Sequence, residues 1–120
     1  MADFNQTTLI GRLGKDAEIR SVQSGDQVAS FSIATDDGYK DKNGEWKKVT
    51  NWHQIVTFQK GLIKMIETRG KKGARVFVQG TLEYRSWRKD GEASDRVQAE
   101  IKIGPQDKLF FVDSDKPNNE

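Results

Sequence analysis

The sequence contains no cysteine. Disulfide frameworks and thiolate metal sites are excluded, and the redox compartment is left open. It contains one histidine, His53, between Trp52 and Gln54, with no HxxxH or HExxH spacing around it. A structural or subunit-contact role suits it better than catalysis or metal ligation. The apolar fraction is low, 34%, against 32% charged residues, so a small core under much polar surface is expected. No apolar run reaches the length of a membrane span, and the start, MADFNQTTLIGRLGK, has no signal-peptide core. The expectation is a soluble protein that is not exported. The net charge of +2 is too small for indiscriminate polyanion binding, so any nucleic-acid footprint must come from local clustering. Glycines 11 and 14 lie in a strand and a turn with no helix after them, so no phosphate-binding loop is present. Asp36-Asp37 opens a polar loop without a partner carboxylate and reads as a solvated turn, not a metal pair.

What is present is concentrated in Tyr39 to Phe58, YKDKNGEWKKVTNWHQIVTF. Tyr39, Trp46, Trp52 and Phe58 alternate there with Lys40, Lys42, Lys47 and Lys48. Residues 46 to 58 have strand composition. At period two, Trp46, Lys48, Thr50, Trp52, Gln54, Val56 and Phe58 share one face, and Val49, Ile55 and Thr57 the other. Flat aromatics beside cations are what a sheet needs to stack unpaired bases and neutralise the backbone between them. A core role for the aromatics with a solvated lysine rim fits the composition equally well.

Around this stretch the chain reads as short strands and turns. Residues 4 to 13 form a first strand, with Gly11 marking a bulge or bend. Residues 17 to 22 pair back after a turn at Gly14 and Lys15. Val28 to Thr35 alternates as a half-buried strand, with Ala29, Phe31, Ile33 and Thr35 on one side. Asp36 to Glu45 reads as a loop with an Asn43-Gly44 hairpin signal. Residues 60 to 69 change to helical period, with Leu62, Ile63, Met65 and Ile66 on one face and Gly70 at the end. Ala74 to Val78 and Thr81 to Arg88 read as two strands separated by a bend at Gly80, and Lys89-Asp90-Gly91 as a turn. Arg96 to Ile103 alternates, with Val97, Ala99, Ile101 and Ile103 inward, and Leu109 to Val112 closes the fold. The expected architecture is all-β, a five-stranded Greek-key barrel of the oligonucleotide-binding (OB) type, with one α-helix between the third and fourth long strands. One domain covers residues 1–112, and a short, flexible polar tail covers 113–120.

These residues, from about Asn5 to Val112, resemble the bacterial single-stranded DNA-binding proteins. The marks are Leu9-Ile10-Gly11-Arg12-Leu13-Gly14-Lys15-Asp16, Trp52-His53 with Val56 and Phe58, and Gly80-Thr81-Leu82 leading to Arg85 and Trp87. The resemblance implies an OB barrel that assembles as a homotetramer and wraps unpaired DNA without sequence preference in replication, recombination and repair. It implies no cofactor, no catalysis, no membrane, and a cytoplasmic, nucleoid-associated setting. By motif the base-stacking positions are Tyr39, Trp52, Phe58 and Trp87, and Arg85 meets phosphates. Trp46 joins them only on the bottom-up argument. Glu83 and Gln54 stand where the family often has arginine; Lys60, Arg12, Lys15 and Lys42 are the candidate replacements. The family commonly continues into a flexible linker with an acidic tip ending in Pro-Phe, whereas this sequence ends Pro117-Asn118-Asn119-Glu120. Recruitment of replication and repair enzymes through such a tip is therefore not claimed. Oligomer contacts are sought at Arg96 to Ile103, Leu109 to Val112 and His53. Two other readings fit the aromatic face: a single-stranded RNA binder of the cold-shock type, and a protein-binding module.

Overall fold

A computed structural model describes residues 3–112. The polar tail expected at residues 113–120 lies outside the described residues. The elements in order are β1 (Thr7–Leu13), β2 (Glu18–Ser21), β3 (Gln27–Lys40), β4 (Trp46–Thr57), α1 (Lys60–Arg69), β5 (Arg75–Trp87), β6 (Arg96–Ile103) and β7 (Lys108–Val112). Pairing runs β1-β3-β4-β6-β5, and β5 returns to β1 and closes the ring. All these pairs are antiparallel except β4 with β6, which run parallel over Ile55↔Ile101, Val56↔Lys102 and Thr57↔Ile103. β2 adds to β3 and β7 to β5. This is the closed five-stranded OB barrel, with its helix between the third and fourth long strands.

The barrel interior follows from alternation. Ala29, Phe31 and Ile33 of β3, Ile55 of β4, Val76 and Val78 of β5 and Ile101 and Ile103 of β6 are buried, with Leu109 and Phe111 of β7 beside them. Each fully buried aliphatic side chain stabilises the fold by about 1.5–3 kcal/mol. Helix α1 packs on β2 and β3 and contributes Ile63 and Ile66 to this core. Buried Thr57 joins three elements: its hydroxyl donates to the Ile103 carbonyl at 2.8 Å and accepts from the Gln59 amide at 3.2 Å, just before α1.

Two glycines set the corners. β1 leaves β5 for β3 beside Gly11, where an added Cβ would stand 2.5 Å from the Ala34 carbonyl oxygen. β5 leaves β1 and β7 for β6 at Gly80, where a Cβ would stand 2.5 Å from the Lys102 carbonyl oxygen. The bend expected at Gly80 therefore lies inside one continuous strand rather than between two.

Three further expectations are corrected. Residues 36 to 40 are strand, not loop, because every residue from Asp36 to Lys40 has a partner on β4. Asp36 is held there by the Thr50 hydroxyl at 2.7 Å and by Lys48 at 3.6 Å. The turn is shorter, with the Asp41 carboxylate accepting from the Asn43 and Glu45 amides and Gly44 at positive φ. Val97 and Ala99 do not point into a core: Val97 is 64% exposed. Their strand has left the barrel there and runs in a two-stranded arm, where neither face has a core to meet. The first strand begins at Thr7 rather than residue 4.

Candidate nucleic-acid interface

The parallel rungs between β4 and β6 have a geometric consequence. The segments before Ile55 and before Ile101 both approach the barrel from the same end. The β3–β4 and β5–β6 hairpins therefore project from that end side by side as two arms. Register assigns their outer faces. On β4 it presents Trp46, Lys48, Thr50, Trp52, Gln54 and Val56; on β6, Gln98, Glu100 and Lys102; on β5, Glu83, Arg85 and Trp87. Val56↔Lys102 makes these one surface.

Trp46, Trp52 and Phe58 are exposed at 67%, 59% and 44%. A core role for them is excluded by that exposure. Their placement depends on what lies beneath. A Cβ on Gly14 would fall 2.6 and 2.7 Å from Cζ3 and Cη2 of Trp52, and a Cβ on Gly38 would fall 2.2 Å from Cζ2 of Trp46. Each indole thus rests directly on glycine backbone, lying low on the surface with its upper side free. Phe58 sits at the end of β4, with the Lys102 ammonium 5.7 Å from its ring centre. Trp87 is half-buried because the Arg85 guanidinium covers one side at 4.7 Å. Arg85 also donates to Glu100 at 2.9 Å.

Between the arms runs an open groove of about 400 Å³. Phe58, Val56 and Val28 line it with Arg20, Arg85 and Lys102, and Glu83 and Glu100 also face it. Glu83 and Glu100 are directly opposite across β5 and β6. Their charge opposes the three cations, so the groove is cationic only in part.

The sequence-predicted residues divide accordingly. Phe58 and Arg85 line the groove; Trp52 lies beyond it on the outer face of β4 and Trp87 beyond it on that of β5, with Trp46 further out still on β4. Tyr39 is 53% exposed but pairs with Lys47, so it stands on the reverse of the β3–β4 ribbon from Trp46 and Trp52. Lys42 lies in the turn at the tip of that arm, and Lys15 in the turn next to Gly14. Lys60 opens α1 beside a separate depression with Ser21, Asp26 and Lys64. Arg12 shares the outer face of Trp52 through the row Arg12↔Ala34↔Trp52, two strand spacings or about 10 Å away. Its Nη1 donates to the Gly73 carbonyl at 3.1 Å. Lys102 and Arg20 are groove residues that period and spacing did not single out, since only the parallel β4–β6 register and the β2–β3 pairing bring them to Phe58. Gly14 and Gly38 were also missed as seats for the tryptophans. His53 is half-buried, with Nε2 2.8 Å from the Thr35 hydroxyl. Among the described residues no group of three or more His, Asp or Glu could hold a metal, and no helix is long and apolar enough to cross a membrane.

Residues 4–106 match the model of the single-strand binding protein family. The chain belongs to that family. A single-stranded DNA-binding protein of Rhizobium meliloti (strain 1021) is 41% identical over 98 residues, covering 81% of this chain and 56% of the relative. The match thus spans little more than half of that relative's length. Among solved structures of the family, the Plasmodium falciparum SSB in complex with ssDNA superposes with a TM-score of 0.85 at 34% identity, over 94% of this chain and 98% of that one. A deletion mutant of the single-stranded DNA-binding protein from Thermus aquaticus gives 0.69 at 28% identity, over 93% of this chain and 52% of the other.

Proposed function

We propose that this member of the family binds single-stranded DNA without sequence preference and shields it during replication, recombination and repair, doing no catalysis and needing no cofactor. The observation that carries the reading is the exposed ring of Trp52 on the outer face of β4, followed just past that strand by exposed Phe58 in a groove with Lys102, Arg20 and Arg85. Bases stack on Trp52, Phe58 and Trp46, because every base has a π-face and none is preferred. Phosphates lie against Lys102, Arg85 and Arg20, with Lys15 and Lys42 at the ends of the path and Lys60 outside the groove. Trp87 receives a base on the side that Arg85 leaves free, and Tyr39 is available to a strand that curls round the edge of the arm. The setting is the cytoplasm, at the nucleoid.

One arm pair covers a short stretch, roughly 4–16 nucleotides. We infer that protomers assemble, as a homotetramer by family likeness, and share a strand, because the second contact is then intramolecular. Two features support assembly. Among the described residues β1 pairs with β3 only at Arg12 and Leu13, so the backbone from Thr7 to Ile10 has β5 as its one strand neighbour there. The adjoining outer face of β1, β5 and β7 carries the row Ile10↔Phe77↔Phe110, with Ile10 and Phe110 exposed and the two phenylalanines stacked at 4.7 Å.

A titration of intrinsic fluorescence with oligo-dT tests the function, and sedimentation equilibrium at micromolar concentration tests assembly. Quenching of the tryptophans is expected, with binding weakened roughly five- to 150-fold by Trp52→Ala, since a stack contributes about 1–3 kcal/mol and tenfold is about 1.4. Unquenched fluorescence at saturating strand would refute the reading. A matched RNA oligomer binding more tightly than the DNA would favour the RNA-binding alternative.

A further inference from the structure

Two groove side chains, Gln54 and Glu83, neither stack on bases nor hold phosphate. Gln54 and Glu100 each stand one residue before the first parallel rung, Ile55↔Ile101, and Glu83 is paired with Glu100 on the next strand. The three therefore lie at one level of the groove, in the order Gln54, Glu100, Glu83. Each has a defined hydrogen-bonding sense. Gln54 is half-buried, and its Oε1 accepts from the Ser32 hydroxyl at 2.9 Å, so its amide nitrogen is left to donate. Glu100 accepts from Arg85 Nε at 2.9 Å through one oxygen and keeps the other. Glu83 is exposed, with no hydrogen-bond or ion-pair partner among the described residues. Across the groove the order is donor, acceptor, acceptor.

Two carboxylates at this level repel phosphate, so a bound strand turns its base edges here and its backbone toward Lys102 and Arg20. A base laid over the carboxylates also strips water from them, a loss that only N–H donors offset. The Watson–Crick edge, on which unpaired bases are read, differs between the four. Guanine presents O6, N1–H and N2–H2: acceptor, donor, donor, the complement of the groove. Thymine presents acceptor, donor, acceptor, and sets its O2 against Glu83. Cytosine meets like with like, and the adenine amino group faces the Gln54 amide. The geometry points to Glu83 as a specificity-determining residue, which with Gln54 and Glu100 reads guanine at one nucleotide of the bound strand. The inference rests on the reading of this groove as the single-strand site and deepens it. Stacking stays indifferent to the base, and the edge contact adds a bias at one place without requiring a sequence.

The test uses the full chain and dT oligomers matched in length to one groove, with a single guanine placed in turn at every position. At one position the wild type binds about fivefold more tightly than it binds all-dT, which is the lower end for a bidentate base contact, about 1 kcal/mol. Deoxyinosine at that position keeps O6 and N1–H, lacks N2–H2, and loses most of the gain. Glu83→Ala brings the guanine-to-thymine ratio close to one and tightens all-dT, which offers Glu83 no amino group. Taking the ratio within each variant cancels the strand's own stacking. Glu67→Ala, exposed on α1, removes the same charge and leaves the ratio alone. The deoxyinosine comparison needs no variant, so it reads the contact even if Glu83→Ala folds poorly. The proposal is overturned if no guanine position is favoured by the wild type, or if deoxyinosine binds as well as guanine. An unchanged ratio in Glu83→Ala, or an equal change in Glu67→Ala, also overturns it. A wild-type chain that binds no oligo-dT at all refutes the function itself, a failure visible before any guanine is introduced.

Discussion

Replacing Gly14 with alanine tests whether the seat beneath Trp52 matters as much as the ring. The new Cβ would lie 2.6 and 2.7 Å from Cζ3 and Cη2 of the indole, against 3.4–4 Å for an ordinary contact. The ring must therefore lift by about 1 Å or leave its rotamer, at about 0.5–1.5 kcal/mol for an off-rotamer side chain. Gly14 does not have positive φ, so the backbone itself accepts alanine. The expected outcome is a stable protein whose Trp52 emission is altered and whose affinity for oligo-dT falls by roughly three- to tenfold, the upper end corresponding to about 1.4 kcal/mol. The deciding measurement is a double-mutant cycle. In a Trp52→Ala background, Gly14→Ala should change affinity by less than about twofold, because the two positions act as one unit. An equal loss with and without the indole would refute the reasoning and assign the effect to the turn that carries Lys15.

Glu83→Gln should strengthen binding roughly threefold at low salt, because a carboxylate about 6 Å from a phosphate in water costs about 0.7 kcal/mol; the gain should fade as salt rises, and filter binding at two ionic strengths checks it. Thr57→Val keeps the shape but leaves the Gln59 amide and Ile103 carbonyl without the hydroxyl between them. It should cost about 1–3 kcal/mol, read as a lower denaturant midpoint with the slope unchanged. In the β5–β6 turn, Arg96 holds the half-buried Glu92 below the ordinary carboxylate range through hydrogen bonds as short as 2.6 Å. A lowered carboxylate pKa contributes stability above its unfolded value and loses it as pH falls through the folded one, so this clip should be intact at neutral pH and open in acid. Titration of the Glu92 carboxyl carbon by NMR checks the direction, and Glu92→Gln should remove the transition.

Much of the fold was legible because alternation at period two reports which face meets a core. Ala29, Phe31, Ile33 and Ile55 were readable in this way, and so was the outward set from Trp46 to Phe58. The same signal misled at Val97 and Ala99. Alternation persists along β6 after the barrel has ended, and sequence does not mark where a strand leaves its core. Asp36 to Lys40 failed in the opposite sense: Asp-Asp-Gly is poor strand material, yet Thr50 and Lys48 across the ribbon hold Asp36 in register. Tyr39 came by likeness to the family, and pairing with Lys47 turns it to the reverse of the arm. Lys102 and Arg20 were not legible at all. Their meeting with Phe58 depends on long-range strand pairings, and nothing local in the chain encodes those.

The parallel contact between β4 and β6 covers only Ile55 to Thr57 and Ile101 to Ile103. Beyond those rungs the two arms pair only within themselves, and the groove between them has no roof. A polymer can therefore be laid in sideways at any point along its length, with no free end to thread. A covalently closed single-stranded circle is thus as accessible a target as a linear fragment. Release, too, requires only local peeling and not travel to a terminus, so a bound protomer can yield to an advancing enzyme one contact at a time.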